Sequence, residues 1–483
     1  MLPKTFILFA VSCITIVTAA GLDDNILEDF SAVKGNGNYI FHLSPETDVK
    51  TFVPDFINGA THAVIQSMGG DKVKVQKNKI VKLGTDEEQV QVIDVYSIAD
   101  SFKGLTVKFE NASVIEDLTK EFSKNILRVF PDQDIKFDLP KPKNKKRFLA
   151  RSRSQKRAER KGNYDPDTFD KFGVPDVLEL ENTTLSKRAA TSYSRQTGAQ
   201  WNLVRISQHR RDLSQPYIYD SNAGSGAYVY VVDDGMRTDH SDFGGRAQWG
   251  WSSYSGISQY GTGHGTHVGG IIGGSTYGVA KKANLVAVQV LDDTGSGSVS
   301  SIISGLQWVV NNAKKGRSVV NMSLGMKTNG VPSSTLSAFN SAIDAVVSSG
   351  IPVFVAAGNS GSDACYVSPA NNKNVFTVGA TDKSDAMTDY SCYGSCVQIL
   401  APGDNILSTY VNSRTSTTTM SGTSMASPHA AGVGALLLSQ AAGTSPSSIY
   451  SQMSSLATSN AVTSITGRTV NELLHNGQQS TSA

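Results

Sequence analysis

A doubly wound, mostly parallel α/β sheet preceded by a small α+β domain is the architecture this 483-residue chain predicts. Three observations carry that expectation. Between residues 264 and 424, short apolar runs of strand length alternate with amphipathic stretches of helical length, the pattern of strand–crossover–strand units. The run Tyr228-Val229-Tyr230-Val231-Val232 is apolar at consecutive positions and stops abruptly at acid, as a strand buried on both faces does. From Asn38 to Asp138 the composition is instead charged and mixed, with no such alternation.

In chain order, Lys4 precedes an apolar run from Thr5 to Val17 that is too short to span a membrane, and Thr18, Ala19 and Ala20 are small. Residues 1–20 therefore read as a signal peptide, and a secreted product is expected, with a vacuole-like compartment as the alternative. Residues 34–140 form the α+β domain, with strands at Tyr39–Phe41 and Leu105–Phe109 and a helix over Val114–Lys124. Residues 141–188 lack any apolar period; Lys141 to Lys161 is dense in lysine and arginine, with Glu159 the only acid. That composition describes a solvated linker, and without interleaved aromatics or an RNA module it does not point to nucleic acid. The linker ends at the dibasic pair Lys187-Arg188, so a mature domain would span residues 189–475, followed by a short tail, 476–483. Whether that pair is cut in cis or by another protease stays open. Asn111 and Asn182 lie in glycosylation sequons, whereas the sequon at Asn321 falls on a core strand.

The large domain is expected to place strands near Asn284–Val290, Ser318–Ser323, Pro352–Ala356 and Val375–Gly379, with helices near Ser300–Asn312 and Ser334–Ser348. Its chemistry concentrates at three places. Asp233 closes the first buried strand. His264 sits between glycines at the start of a small-residue helix, and Ser424 lies on a glycine-flanked turn before a helix apolar on every side. The free N–H groups and macrodipole at that helix start favour negative charge, as the oxyanion of a tetrahedral intermediate supplies. A serine is a poor nucleophile without a base, and a histidine oriented by a carboxylate is the base that acyl transfer requires. Asp233, His264 and Ser424 are therefore the candidate catalytic residues. A zinc reading of His264 and His267 lacks the intervening glutamate and a third ligand, so neither metal nor cofactor is expected. His267 reads as a packed helix residue, and His62, His209 and His475 as surface groups.

The chain order Asp233, His264, Ser424 resembles that of the subtilases. Trp201–Ser207, Tyr277-Gly278-Val279-Ala280, Leu291-Asp292-Asp293 and Ala401-Pro402-Gly403 extend the likeness to the proteinase K and cerevisin-type branch, from about Thr197 to about Leu474. The resemblance implies a serine endopeptidase acting on protein and peptide substrates. It assigns Asn359 to the oxyanion, and makes Ser296-Gly297-Ser298 and Ser323-Leu324-Gly325 the walls that receive an extended substrate. The small, uncharged Ala356-Ala357-Gly358 wall implies a roomy S1 pocket and apolar or aromatic P1 side chains. Residues 34–140, ending in Ile126–Pro131, resemble the inhibitory propeptides of these enzymes, so the chain's own propeptide is an expected intramolecular inhibitor.

Four cysteines are present, and Cys13 leaves with the signal peptide. The resemblance suggests a Cys365–Cys396 disulfide and a free Cys392; the sequence leaves Cys365 with Cys392 open. Gln398 stands where relatives place a calcium-binding aspartate, so no strong site is expected there. One departure is Asp234, where proteinase K-like enzymes have threonine or serine. It resembles the kexin branch and favours a basic P2 residue, or else it only bonds local backbone. A formal net charge of +2 fits a soluble multidomain monomer and excludes a basic nucleic-acid binder. Two alternatives remain: a selective proprotein processor and a catalytically silent surface or adhesion protein.

Overall fold

The N-terminal domain, in a computed structural model that describes residues 35–70, 72–137, 139–142 and 192–478, is one antiparallel sheet with two helices. The signal segment, Lys187-Arg188, the Asn182 sequon and residues 479–483 lie outside the described residues. Its elements are β1 (Asn38–Leu43), α1 (Val49–Ser67), β2 (Val73–Gln76), β3 (Lys79–Lys82), β4 (Glu88–Ile98), β5 (Phe102–Phe109), α2 (Ser113–Glu121), β6 (Ile126–Pro131) and β7 (Asp134–Lys136). The first six strands are ordered β2-β3-β4-β5-β1-β6. Phe41 and Leu43 of β1 point into a core shared with Phe52 and Phe56 of α1 and Leu118 of α2. Ile40, just before Phe41, faces the other way and joins the core of the large domain, as do Tyr96, Phe102 and Phe130. The strand period of two thus gives this sheet one face for its own helices and one for the rest of the chain.

The large domain runs β8 (Tyr193–Gln196), α3 (Trp201–Arg205), β9 (Tyr217–Asp220), β10 (Tyr228–Asp233), β11 (Ala247–Ser252), α4 (His264–Gly273), β12 (Asn284–Gln289), β13 (Ser296–Ser298) and α5 (Val299–Asn312). It continues β14 (Ser318–Met322), β15 (Met326–Lys327), α6 (Ser333–Ser348), β16 (Val353–Ala356), β17 (Val367–Ser368), β18 (Phe376–Thr381), β19 (Ile399–Pro402), β20 (Ile406–Thr409) and β21 (Thr417–Met420). It closes with α7 (Thr423–Gln440), α8 (Pro446–Leu456), β22 (Thr458–Ser459) and β23 (Glu472–Leu473). The central sheet is ordered β11-β12-β10-β14-β16-β18-β19-β23-β22, parallel throughout except for the last pair. The doubly wound architecture expected from the sequence is therefore present.

Alternate residues of the central strands feed two cores. Tyr230 and Val232 of β10 pack with Ile302, Ile303 and Leu306 of α5 and with Phe339 of α6. Val229 and Val231 pack with Val268 and Ile271 of α4 and with Ala430 and Val433 of α7. Every residue of α7 from Thr423 to Leu438 is buried, which accounts for its lack of a polar face. Among the described residues no helix is long and apolar enough to cross a membrane.

His475, expected at the surface, is instead buried and stacked on exposed His209, with ring centroids 3.8 Å apart. Burial pushes its imidazole down to about 3, with His209 and Arg205 adding to the effect, so it packs as a flat neutral ring. Its Nδ1 accepts the Gly477 N–H at 3.0 Å. Gln398 accepts the Thr377 N–H at 2.6 Å through its amide oxygen, so it serves the sheet edge.

Cys365 and Cys396 form the disulfide, with Cα atoms 5.3 Å apart, and Cys392 is free and buried. The bridge closes a loop of sequence separation 31. Replacing both bonded cysteines with serine is expected to remove about 3–4 kcal/mol of stability through chain entropy, read as a lower guanidinium midpoint. A midpoint that does not move would show that the bridge adds nothing to stability.

Candidate active site

Strand β10 delivers Asp233 to the carboxyl edge of the sheet, and its carboxylate is fully buried. After β11 the chain returns to this edge as α4, whose first residue is His264. The imidazole Nδ1 lies 2.8 Å from Asp233 Oδ1 and 3.0 Å from Oδ2. A carboxylate accepts only, so Nδ1 carries the proton and Nε2 is left as the free base. Burial alone would lower the imidazole; the Asp233 charge and hydrogen bond, with Asp234 behind them, outweigh that and hold it above the ordinary histidine range. Nε2 is buried with no hydrogen-bond partner among the described residues, so it is poised to accept.

Ser424 is the second residue of α7 and only 3 % exposed. Its hydroxyl donates to the Ser323 carbonyl at 3.1 Å, so nucleophile and base are not bonded to each other in this state. The helix start is tied to the end of β14 by two further bonds, and a third links their strand-side groups. Ser323 Oγ donates to the Ser424 carbonyl at 2.9 Å, Asn321 Nδ2 to Ser323 Oγ at 2.9 Å, and Ser427 Oγ to Asn321 Oδ1 at 2.9 Å. Asn321 thus has a structural task, in keeping with its burial.

Asn359 follows β16 across the left-handed Gly358, φ +108°, where a Cβ would meet Cys392 Sγ at 3.0 Å. Its Oδ1 accepts both the Thr423 N–H at 2.8 Å and the Thr423 hydroxyl at 2.9 Å. That fixes the amide, so Nδ2 is free to donate elsewhere. The sequence reading missed Thr423 in this role, although it immediately precedes the serine.

The cleft is open between the walls expected. A cavity beside Ser424 is bordered by Ser323, Leu324 and Gly325 on one side and by Ala356 and Gly358 on the other. Ala357 is not on it: its side chain belongs to the buried core and its N–H bonds the Val378 carbonyl at 3.0 Å, because successive side chains on an extended segment alternate. Among the lining residues that escaped the sequence reading is a cross-strand pair. Lys327 and Val367 are paired across β15 and β17, and each borders the pocket. The available signal was the position of Lys327, two residues beyond the Gly325 wall.

The third wall, Ser296–Ser298, is covered by the N-terminal domain. Strand β7 pairs with it antiparallel, Ser296 with Lys136, Gly297 with Ile135 and Ser298 with Asp134. The tail then continues towards the serine. Phe137 N–H donates to the Gly295 carbonyl at 3.1 Å, Phe137 and Leu139 border the cavity, and Pro140 meets the position a Cβ on Gly422 would take. The Leu139 N–H turns back on the Phe137 carbonyl at 3.0 Å, so the tail is folded at that point.

Asp234 does not line the cleft. It is fully buried, and its carboxylate accepts from the loop and helix that carry His264, so a basic P2 side chain has no free carboxylate to meet. His267 is buried and neutral, pushed down to about 3 by burial and by His264, and its Nε2 lies 3.1 Å from both the Ile406 and Thr418 carbonyls.

A histidine held by a carboxylate, on a helix packed against a buried one whose first turn carries a serine, supplies the groups that acyl transfer demands. Residues 224–477 match the pattern of the Subtilase family. The chain is 46 % identical over 292 residues to Subtilisin-like protease 2 of Pseudogymnoascus destructans, covering 60 % of this chain and 71 % of that protein. It is 41 % identical over 326 residues to a cuticle-degrading serine protease of Arthrobotrys oligospora, covering 65 % and 76 %. A crystal structure of a cold-adapted subtilisin-like serine proteinase aligns with a TM-score of 0.53 at 42 % identity, over 58 % of this chain and 98 % of that one. The class is that of serine endopeptidases, which hydrolyse peptide bonds. The chain belongs to the subtilase family.

Proposed function

We propose that this endopeptidase is made as an autoinhibited zymogen and works through Asp233, His264 and Ser424. The observation that carries the reading is the 2.8 Å Asp233–His264 bond with an Nε2 unpartnered among the described residues, on a helix that packs against the one whose N-terminus carries Ser424. Ser424 turns from the Ser323 carbonyl, gives its proton to His264 Nε2, and its Oγ attacks the substrate carbonyl carbon. The oxyanion is held by Asn359 Nδ2 and the Ser424 N–H. On collapse of the tetrahedral intermediate the proton passes from His264 to the leaving amine, and a water repeats the sequence to free the acid.

The N-terminal domain acts as the inhibitor. Its β7 pairing and the tail from Phe137 to Pro140 support that role, since a substrate would use the same main-chain edge. Maturation then removes residues 34–140 and the 141–188 linker, with Lys187-Arg188 as the second cut, in a secreted monomer delivered by residues 1–20. The buried Asp234 favours broad specificity over the selective-processor alternative.

The pocket walls of Ala356, Gly358, Leu324 and Val367 suit apolar P1 groups, and the one cation on its rim, Lys327, repels basic ones. In a panel of peptides differing only at P1, kcat/KM for phenylalanine and leucine is expected to exceed that for lysine at least about tenfold, a difference of roughly 1.4 kcal/mol. A preference for lysine or arginine would overturn the specificity and restore the processor reading.

A further inference from the structure

The helix that presents His264 has no cap of its own. Its N-cap residue is Gly263, φ +95°, which brings no side-chain hydrogen bond. The missing acceptor comes from the neighbouring strand end. Asp234 Oδ1 accepts the Gly265 N–H at 2.8 Å, and Oδ2 accepts the His264 N–H at 3.3 Å, the Thr262 N–H at 2.7 Å and the Thr262 hydroxyl at 2.5 Å. The loop can wrap the carboxylate this closely only because its residues are small. A Cβ on Gly261 would lie 2.1 Å from the Asp234 carbonyl, and one on Gly265 2.1 Å from the Gly235 carbonyl and 3.1 Å from Asp233 Cβ.

The strand end is fixed from behind as well. The Asp234 N–H donates to Asp233 Oδ1 at 2.8 Å, and the Asp234 carbonyl accepts from Gln289 Nε2 at 3.0 Å. One dipeptide therefore carries two buried carboxylates, one on the imidazole and one on the backbone that carries it. A negative group at a helix N-terminus is favoured by the free N–H donors and by the dipole.

We propose that Asp234 is a positioning residue of the peptidase reaction, capping the histidine helix from outside it and placing a second buried negative charge beside the imidazolium that forms during proton transfer. The proposal rests on the Asp233–His264–Ser424 reading and adds to it. Its consequence is a pH-dependence that one carboxylate would not give. The titratable and charged groups facing the cluster are Asp233, His264 and His267, Tyr410, whose hydroxyl donates to the Thr262 carbonyl at 3.1 Å, and Arg237, whose backbone N–H donates to Thr266 Oγ1 at 2.9 Å and whose guanidinium donates to the Val411 carbonyl at 2.8 Å. Burial, then the Asp233 charge, pushes the Asp234 carboxyl up to about 7. A raised carboxyl is charged above its midpoint and neutral below it. The second charge is thus present in alkaline solution and lost as the pH falls through about 7.

The test compares the full wild-type chain with Asp234→Asn, Asp234→Ser and Ser424→Ala. After maturation, kcat/KM on one peptide is measured from acid to alkaline pH, with active sites counted by a fluorophosphonate. Without the second charge the imidazolium is less favoured, so in both Asp234 variants the acid limb is expected to move down by about one pH unit. The alkaline plateau falls about tenfold, the equivalent of that unit. A lower plateau with an unmoved limb overturns the proposal, leaving Asp234 with a structural task only. Near-ultraviolet circular dichroism of each Asp234 variant in the Ser424→Ala background, which needs no maturation, reports folding. Loss of the fold there in both variants overturns it too. If the Ser424→Ala chain itself hydrolyses the peptide, it is the underlying triad reading that fails.

Discussion

Full-length chain carrying Ser424→Ala is expected to stay intact on incubation, with the N-terminal domain still attached, and to show no fluorophosphonate label. The hydroxyl it removes is the nucleophile of the proposed mechanism, which His264 Nε2, without a partner among the described residues, would deprotonate. Losing a nucleophile that acts as a unit with its base costs about 10⁶ in kcat, with the residual rate left to the oxyanion donors and binding. The fold is not expected to suffer, because the Ser424 carbonyl, not its hydroxyl, receives the Ser323 side chain that ties β14 to the helix. Mass spectrometry of the purified variant checks this directly. Self-cleavage at the wild-type positions by the alanine chain would place the nucleophile elsewhere.

The second large effect is expected at Asn359. Its Oδ1 is committed to Thr423, so Nδ2 is directed away from that contact and, in the proposed mechanism, would donate to the oxyanion without freedom to flip. Asn359→Ala is expected to lower kcat by about 10²–10³ while KM stays near its wild-type value, because the bond forms only as charge develops. Steady-state kinetics on a short peptide separate the cases. A raised KM with kcat unchanged would place the amide in ground-state binding. Since Thr423 loses its acceptor in this variant, Thr423→Val provides the comparison: it removes one of the two bonds while leaving Nδ2 in place, and a much smaller fall in kcat is expected.

What was legible in the sequence followed from residues whose local pattern has one meaning. The run ending at Asp233 reads as a buried strand because no polar face interrupts it, and α7 reads as a buried helix for the same reason. Element ends were less certain. β18 runs to Thr381, two residues past the Gly379 expected, because its pairing with β19 continues through Thr381 and Pro402. Helix α1 carries Pro54 in its second turn, a residue that argues against a helix in sequence, and its packing of Phe52 and Phe56 prevails over it. The strands β2 to β4 are half-buried and studded with charge, so they offer only a weak alternating signal.

The partners of buried polar groups were the part that sequence could not supply. The donors that reach Asp234 lie 28 to 31 residues away along the chain, and nothing near Asp234 announces them. The burial of His475 likewise depends on a stacking partner in a distant loop. The orientation of Ala357 against its neighbours Ala356 and Gly358 depends on where β16 leaves the sheet. In each case the sequence left the setting open or put the residue in another one, and only tertiary placement settled which way its side chain points.

The order of the two sheets along the chain has a consequence for synthesis. The six-stranded sheet is finished at Pro131, whereas the central sheet cannot be completed until β23, at Glu472–Leu473, has paired with β19. At translation rates of 5–20 residues per second, that interval lasts roughly twenty seconds to a minute. The domain that carries the segment across the cleft can therefore fold on the emerging chain before the central sheet is complete, while β7 itself waits for its partner β13. Under the proposed zymogen reading, the restraint would then be in place by the time the activity it restrains arises.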